Sequence, residues 1–435
     1  MATTADTASR AKPRTPPPAG TARRTFLRSV GAGLGGAALL ASTPAHAAAE
    51  AATTAPLEVP PWSRTPGEPV LWHPYGQPSP FEQHVVRRSR GATPLPGANS
   101  SMTPLQDLFG TITPTGLVFE RHHAGIPQID PALHRLAVHG LVDRPLLFSL
   151  DDLVRFPSVS RIHFLECSGN TGREWRGPDT QSVQMSHGLL SCCEWTGVPL
   201  SVVLQEAGVQ RGAAWILAEG ADGAALSRSI PLAKAWDDAL LVYAQNGERL
   251  RPEHGYPLRL FLPGYEGNTN VKWLRRIKVG AAPFMSREET SKYTDSLPDG
   301  TARQFTFGMD AKSVITFPAP EHHLRGPGFY EISGLAWTGN GKVKRVEVST
   351  DGGRNWRDAA LQAPVLDRAL TRFRLPWRWD GAPAVLQSRV SDETGYRQPT
   401  PQELVAARGF ESNYHYNAIQ SWGITPDGKV ANVRV

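Results

Sequence analysis

The sequence predicts a mixed α+β domain followed by a smaller antiparallel β-sandwich. A chain of 435 residues, 40% hydrophobic and 20% charged, has the length of two or three globular domains. From residue 105 to about 283, short apolar runs such as 258–262 alternate with helix-like segments such as 200–207, which indicates strands and helices in one domain. After a loop-like stretch at 285–301, strand and turn patterns predominate.

The first 47 residues are similar to an export signal. Arg23 and Arg24 precede an apolar stretch from Val30 to Ala41, and Ala45-His46-Ala47 offers a small-residue cleavage site. The stretch is too short to span a bilayer, which needs about 20 apolar residues. The arginine pair resembles a twin-arginine signal, so we expect export of the folded protein to the periplasm and no membrane span in the mature chain. A basic patch before an ordinary secretory signal is the alternative.

The rest of the chain divides by composition into three parts. Residues 48–104 are rich in Pro, Gly and Ser with little apolar periodicity, so we expect an extended arm without its own core. We assign residues 105–300 to the α+β domain that carries the chemistry and residues 301–435 to the sandwich. A strand pattern at 343–348 leads into the first of several turn signals, which lie at 351–353, 380–381 and 393–395.

Charge and cysteine content exclude several classes of protein. The net charge is +6, but the arginines are scattered and form no basic run, so we expect no nucleic-acid partner. The three cysteines, Cys167, Cys192 and Cys193, exclude a disulfide framework. The sequence has no Cys-x-x-Cys-His motif and no four-cysteine iron–sulfur pattern, so we expect no haem in this chain. For Cys192 and Cys193 we expect a structural role.

Cys167 is the candidate with the most informative surroundings. It follows the apolar run that contains Phe164 and Leu165, and it precedes Gly169 and Asn170, which permit a tight turn and close approach of a ligand. A thiolate there is suited to act as a nucleophile or as a ligand to a soft metal. Taken alone, a cysteine is more often a small buried hydrophobe.

The neighbouring motifs resemble the sulfite oxidase family. Residues 164–169 are similar to the family's metal-binding loop, whose cysteine ligates molybdenum beside the dithiolene of a pterin. The resemblance implies that Cys167 is the metal ligand and that the chain binds one molybdenum–molybdopterin cofactor. Residues 119–123 are similar to the family's Phe-x-Arg-Asn-His motif, with His122 in place of Asn, which implies pterin contacts from Phe119, Arg121, His122 and His123.

Two further segments, 254–259 and 270–274, resemble cofactor-holding motifs of the same family. The resemblance implies cofactor contacts from His254, Arg259, Asn270, Val271 and Lys272. Arg259 and Lys272 offer the charge-assisted hydrogen bonds that a terminal phosphate needs. Asp222 stands at the position of a carboxylate that accepts hydrogen bonds from pterin nitrogens. Taken singly, each residue could instead belong to a surface ion pair or a capped loop.

The family resemblance also assigns two catalytic residues beside Cys167. Arg121 would hold an anionic sulfur substrate, and the phenol of Tyr293 would donate a hydrogen bond to the metal-oxo group. Sulfite-oxidising members carry an arginine five positions after the cysteine and another near the C-terminus. This chain has Gly172 at the first position and no arginine at 417–420, although Arg173 is adjacent. We therefore expect a pocket with fewer cations and with space for a substrate larger than sulfite.

The segments 76–82, 85–88, 191–199, 287–294 and 414–422 resemble one branch of the family, the molybdenum subunits of the sulfane dehydrogenases of bacterial sulfur-oxidising (Sox) systems. That resemblance implies oxidation of a cysteine persulfide on a sulfur-carrier protein and electron transfer to a separate c-type cytochrome subunit. It also implies a homodimer through an immunoglobulin-like C-terminal domain, and a heterotetramer with the cytochrome. The alternatives are a sulfite dehydrogenase with its own cytochrome and a cofactor-free exported binding protein.

Overall fold

The computed structural model describes residues 60–435 except 67, 92, 94–96, 179 and 411–412, so the predicted export signal lies outside the described residues. Described side chains between 60 and 87 are mostly exposed, and this segment contains the 3₁₀ turns Pro61–Ser63 and Pro80–Glu82. It follows the surface of the α+β domain, where the Tyr75 hydroxyl donates to Oε2 of Glu248 at 2.6 Å.

Strands and short helices mix through the first part of the chain, which confirms the α+β class. The helix predicted at 200–207 and the strand predicted within 258–262 are both present. In chain order the elements are β1 (Arg88–Ser89), β2 (Ser100–Met102), β3 (Glu120–Arg121), β4 (Leu136–Gly140), β5 (Leu146–Phe148), α1 (Leu150–Val154), β6 (Val159–Glu166), α2 (Val183–His187), β7 (Leu190–Pro199), α3 (Leu200–Ala207), β8 (Trp215–Gly220), β9 (Ser227–Pro231), α4 (Leu232–Asp237), β10 (Leu240–Gln245), β11 (Glu248–Arg249), β12 (Arg259–Phe261), β13 (Leu274–Gly280) and α5 (Arg287–Thr290).

These strands form three sheets. β1, β2 and β3 make a small antiparallel sheet, and β11-β10-β7-β6 makes a second one in which β12 also pairs with β10. The third has the order β5-β4-β13-β8-β9, with β4 and β13 parallel and the other neighbours antiparallel. The loops that follow β6 and β12 and the segment that precedes β13 carry most of the predicted site residues.

Helix α3 illustrates how the apolar pattern sets the packing. Leu200, Val203, Leu204 and Ala207 recur at the spacing of one helical face and are fully buried in the core of the third sheet. The helix ends at Gly208, whose φ of +68° permits the left-handed C-terminal cap.

The second part of the chain is a two-layer antiparallel sandwich. Its sheets have the orders β16-β17-β21-β20 and β19-β18-β22-β23-β24, and a small hairpin of β14 and β15 precedes them. The predicted turn at 351–353 joins two of these strands, β18 and β19. The elements are β14 (Asp295–Ser296), β15 (Ala302–Arg303), β16 (Lys312–Phe317), β17 (Gly328–Trp337), β18 (Val343–Ser349), β19 (Arg357–Asp358), β20 (Ala360–Leu361), β21 (Thr371–Trp379), β22 (Ala384–Asp392), α6 (Pro401–Arg408), β23 (Ser421–Ile424) and β24 (Val430–Val433).

The sandwich packs directly against the sheet that carries the Cys167 loop. Phe164 on β6 and Leu190 on β7 belong to the same buried cluster as Trp337 and Trp422 of the sandwich. The backbone N–H of Phe164 donates to the carbonyl of Arg368 at 3.0 Å. The two parts therefore share one core. Among the described residues, no helix has the length and apolar composition to cross a membrane.

Candidate active site

One cavity, of about 720 Å³ including solvent at its mouth, gathers the predicted site residues. That volume is typical of a site for a cofactor or a small ligand. Every predicted residue except Val271 lines it. The lining consists of Val118, Phe119, Glu120, Arg121, His122, His123, Leu165, Cys167, Asp222, Leu226, Glu253, His254, Arg259, Gly267, Asn268, Asn270, Lys272, Trp273 and Tyr293.

The Cys167 loop is held by hydrogen bonds of its backbone and of Asn170. The N–H of Cys167 donates to the carbonyl of Leu189 at 3.0 Å, and its own carbonyl accepts from the N–H of Asn170 at 2.9 Å. The Asn170 amide donates to Glu166 and accepts from the N–H of Leu189. Burial raises the pKa of the Cys167 thiol, and the nearby Arg121 charge opposes this shift in part. Metal binding would release the proton, because the thiolate is the ligand.

Glu166, directly before the cysteine, is anchored to the sandwich. Nζ of Lys312 on β16 lies 2.9 Å from Oε1 of Glu166, and Nε1 of Trp337 on β17 donates to Oε2 at 2.6 Å. Lys312 also donates to Oγ1 of Thr171 at 2.6 Å. Glu166 and Lys312 are buried, and burial lowers the pKa of Lys312 while the Glu166 charge opposes that shift. This ion pair fixes the start of the Cys167 loop.

Two cations, the buried Arg259 and the partly buried Lys272, face the cavity without a carboxylate partner at ion-pair distance among the described residues. The Arg259 guanidinium donates to the carbonyls of His254 and Asn270, at 2.9 and 3.2 Å, and its Nε has no described partner. Nζ of Lys272 donates to the carbonyls of Arg121 and Glu253. Burial lowers the pKa of Arg259 to about 10. Burial, together with the Arg259 charge, lowers the pKa of Lys272 well below its usual value.

This arrangement fits an anionic ligand such as the phosphate of a pterin cofactor. Buried charges are costly unless an opposite charge or hydrogen-bond acceptors compensate them. Nδ1 of His254 and Oδ1 of Asn268, two further buried polar atoms of the lining, also have no described partner. In a bound pterin cofactor, the phosphate would compensate the two cations. The heterocycle would offer hydrogen-bond partners to the two polar atoms.

Gly255 allows the two cations to lie side by side. Its φ is +112°, in the left-handed region that glycine adopts without strain. A Cβ atom at this position would lie 3.2 Å from Cβ of Arg259 and 3.1 Å from Cβ of Lys272. A larger residue would therefore separate the segments that carry the cations.

His122, which replaces the family's asparagine, bridges a carboxylate and a cation. Nε2 lies 2.7 Å from Oε2 of Glu120, and Nδ1 lies 2.8 Å from Nζ of Lys272. Burial lowers the pKa of His122, and the hydrogen bond to His122 helps to hold the pKa of Glu120 at about 2. Both ring nitrogens are thus occupied by protein groups, and the ring packs 5.7 Å from the ring of Trp273.

Arg121, His123 and Tyr293 form the part of the cavity where the substrate is expected. The Tyr293 hydroxyl lies 3.0 Å from Nε2 of His123, and the Arg228 guanidinium lies 5.3 Å above the Tyr293 ring. Burial and the Cys167 charge raise the pKa of Tyr293. Burial and the Arg121 charge lower the pKa of His123 to about 4. At neutral pH the wall therefore offers a cation, an uncharged imidazole and a phenolic O–H donor.

Two family profiles match parts of this chain. Residues 123–288 match the oxidoreductase molybdopterin binding domain, and residues 303–421 match the Mo-co oxidoreductase dimerisation domain. The chain is 34% identical to human mitochondrial sulfite oxidase over 287 residues, which cover 62% of this chain and 52% of that protein. It is also 34% identical to chicken sulfite oxidase over 270 residues, covering 58% and 59%. This chain thus spans about half the length of these relatives.

Among solved structures, a chain of the crystal structure of the sulfane dehydrogenase SoxCD from Paracoccus pantotrophus is 49% identical. The similarity covers 87% of this chain and 98% of that chain, with a TM-score of 0.85. This chain belongs to the sulfite oxidase family. Membership in the sulfite oxidase family makes it a molybdopterin-binding oxidoreductase, and Cys167 is the one cysteine that lines its cavity. In the described part of the chain, no three His, Cys, Asp or Glu side chains are grouped to hold a metal ion.

Three of the predicted residues also make contacts within the protein itself. The Val271 side chain packs in the hydrophobic core and does not line the cavity. The Asn270 amide accepts from the N–H of Leu262 and donates to the carbonyls of Tyr265 and Glu266, so it stabilises its own loop. Asp222 is buried, and its Oδ1 accepts from the N–H of Leu226 at 3.3 Å.

Sequence reasoning missed several lining residues. Glu120 and Trp273 lie inside the recognised motifs, and Glu253 directly precedes His254, so adjacency was a usable signal for all three. Asn268 gave no comparable signal. Its amide donates to Oγ of Ser168 at 3.0 Å, a contact between loops that are 100 residues apart.

Proposed function

We propose that this member of the sulfite oxidase family is the molybdenum subunit of a sulfane dehydrogenase. It would oxidise the sulfane sulfur of a cysteine persulfide on a carrier protein and pass electrons to a c-type cytochrome subunit. The observation that carries the proposal is the 49% identity over 98% of a SoxCD chain. The cavity supports it, because Cys167, Arg121 and Tyr293 line the same space as the cations Arg259 and Lys272.

Each residue would have a defined task. When bound, the cofactor supplies two-electron redox chemistry and oxygen-atom transfer to sulfur. Cys167 would ligate the metal, and Arg259 and Lys272 would hold the phosphate. Arg121 would fix the anionic persulfide, and Tyr293, kept protonated by its raised pKa, would donate a hydrogen bond to the metal-oxo group.

The absence of arginine at two positions where sulfite-oxidising members carry it supports a substrate larger than sulfite. Where sulfite-oxidising members carry an arginine, Gly172 lies on the outer side of the Cys167 loop. Near the C-terminus, the buried Asn417 amide donates to the carbonyl of Ala311 at 3.1 Å instead of supplying a charge. Arg121 would then be the main cation for the substrate, which suits a singly charged persulfide.

The cellular setting and the assembly are part of the same proposal. The arginine pair at 23–24 and the apolar stretch after it support export by the twin-arginine route to the periplasm. The match of residues 303–421 to a dimerisation domain supports a homodimer, to which two cytochrome subunits would bind. Co-purification from the native host with a c-type cytochrome and a sulfur carrier would support this assembly. Purification of the chain without either protein would contradict it.

A substrate comparison tests the proposed reaction. We expect the purified complex to oxidise a persulfidated carrier protein with kcat/KM at least about tenfold above that for sulfite, with cytochrome c reduction as readout. Strong turnover of sulfite alone would contradict the proposal. Metal analysis should find molybdenum at about one atom per chain, and its absence from protein made in a competent host would favour the cofactor-free binding protein.

A sulfite dehydrogenase is the second candidate. The 34% identity to human and chicken sulfite oxidases favours it, because those relatives are named for sulfite oxidation. The same comparison decides between the two candidates, since a sulfite dehydrogenase would prefer the small anion.

A further inference from the structure

A cationic groove lies on the outer side of the Cys167 loop. Arg90, Arg173 and Arg176 line it, and it encloses about 1130 Å³ including solvent at its mouth. All three side chains are exposed. None of its described lining residues carries a carboxylate. The proposed reaction assigns no task to this groove.

The groove adjoins the active site through Gly169. This glycine lines the groove, and a Cβ atom built on it would lie 3.9 Å from Sγ of Cys167 and 3.9 Å from the Tyr414 ring. Because glycine has no side chain, the space between the groove wall and the thiol is only about as wide as a methyl group. At Gly172 a Cβ atom would lie 2.5 Å from the carbonyl oxygen of Asn413, so this part of the wall must remain bare backbone.

A short 3₁₀ helix, Gly172–Arg176, places two of the cations on one face. In a 3₁₀ helix the side chains at i and i+3 lie above one another, which aligns Arg173 with Arg176. The acidic residue of the same turn, Glu174, is buried and accepts from Nδ2 of Asn432 at 3.0 Å. Trp175 is also buried, and its Nε1 donates to the carbonyl of Tyr414 at 3.2 Å. The turn thus anchors two side chains inward and presents two positive charges outward.

A further cation borders the groove. A Cβ atom on Gly177 would lie 3.8 Å from Nη1 of Arg434, which is exposed. Arg176 itself makes no ion pair or hydrogen bond with the described residues, so its charge is available to a partner. Exposed cations around an open groove suit a polypeptide segment that brings several carboxylates, because charge complementarity accelerates and orients encounter.

We propose that this groove docks an acidic, extended segment of the protein that carries the sulfane sulfur, so that the persulfide enters beside Cys167. The proposal rests on the proposed function, because it identifies the surface by which the carrier is recognised. The glycines supply bare backbone along the wall, and the arginines supply the charge that selects an acidic segment.

Binding of two synthetic peptides by two matched variants of the holoenzyme tests the groove. The acidic peptide has about ten residues, with a cysteine and about four glutamates, and the neutral peptide has glutamines in their place. The variants are Arg176→Glu in the groove and Arg211→Glu, an exposed arginine outside it. Both reverse one exposed charge, and thermal unfolding checks that both fold. We expect Arg176→Glu to weaken binding of the acidic peptide about tenfold, with no change for the neutral peptide.

The docking proposal is overturned if Arg176→Glu and Arg211→Glu bind the acidic peptide alike, or if the wild type binds both peptides equally. Turnover of the persulfidated acidic peptide separates this outcome from failure of the proposed function. If Arg176→Glu weakens binding but the wild type does not turn the peptide over, the sulfane dehydrogenase reaction is contradicted and the docking surface is supported. If the wild type and Arg176→Glu turn the peptide over with equal kcat/KM, the docking surface is contradicted and the proposed reaction is supported.

Discussion

Cys167 is the proposed metal ligand and the one cysteine that lines the cavity, so its substitution is the most direct test at the scale of single residues. We predict that Cys167→Ser reduces kcat/KM to less than about 5% of wild type, because a hydroxyl is a poor ligand where a thiolate is required. The fold should survive, since the hydrogen bonds of the loop come from the backbone and from Asn170. Steady-state kinetics and circular dichroism measure the two effects.

Cys192→Ala provides a matched control for that variant. Cys192 is fully buried on β7, and burial raises the pKa of its thiol to about 12. We expect this variant to lose some thermal stability and to keep its activity. Activity of Cys167→Ser above about a tenth of wild type would contradict the assignment of the metal ligand.

Arg121 is expected to act on the substrate rather than on the metal. We predict that Arg121→Gln lowers kcat/KM by about 10- to 100-fold and leaves the molybdenum content unchanged, because the amide keeps a donor but removes the charge. Arg275→Gln, on β13 and outside the cavity, serves as the control. An unchanged kcat/KM in Arg121→Gln would refute the role.

At the scale of elements, the ion pair between Glu166 and Lys312 joins β6 of the α+β domain to β16 of the sandwich. We predict that Lys312→Met lowers the free energy of unfolding by about 3–5 kcal/mol, because it leaves a buried carboxylate without its partner. The double variant Glu166→Gln, Lys312→Met should recover more than half of that loss. Urea unfolding measures both. A double variant no more stable than Lys312→Met would contradict the account.

The extent to which sequence predicted these elements follows from how local each signal is. The apolar spacing of α3 and the turn at 351–353 are local patterns, and both were predicted. The site residues in 119–123 and 254–259 were found because each motif is short and continuous. The partner of Glu166 was not predictable, because Lys312 lies 146 residues away and only tertiary packing brings the two together. For the same reason, the contact of His122 with Lys272 could not be read from either motif.

At the scale of the whole molecule, buried histidines predict how stability depends on pH. Burial lowers the pKa of His123 to about 4 and that of His254 to about 3. As pH falls below about 6.5, these histidines bind protons in the unfolded chain but stay unprotonated in the folded chain. The free energy of unfolding therefore decreases on acidification. These two histidines alone contribute a slope of about 2.7 kcal/mol per pH unit between pH ~6 and ~4.5, and other histidines whose pKa is lowered by burial, such as His163 and His187, make the total slope steeper.

Urea unfolding of cofactor-free protein across this pH range measures the slope. His254→Gln should reduce this slope by about 1.4 kcal/mol per pH unit, because one fewer proton is bound when the chain unfolds. A free energy of unfolding that does not change with pH would show that these histidines are protonated in the folded state.

The shared core between the sandwich and the sheet of β6 and β7 means that substitutions in the sandwich can disturb the active site. Phe164 and Leu190 pack in one cluster with Trp337 and Trp422, and Glu166 depends on Lys312 for its charge balance. The sandwich thus supports the sheet and the start of the Cys167 loop from behind without lining the cavity, and severing the chain near residue 300 would remove that support. Substitutions on the inner face of the sandwich should therefore abolish activity, although none of them alters a residue that contacts cofactor or substrate.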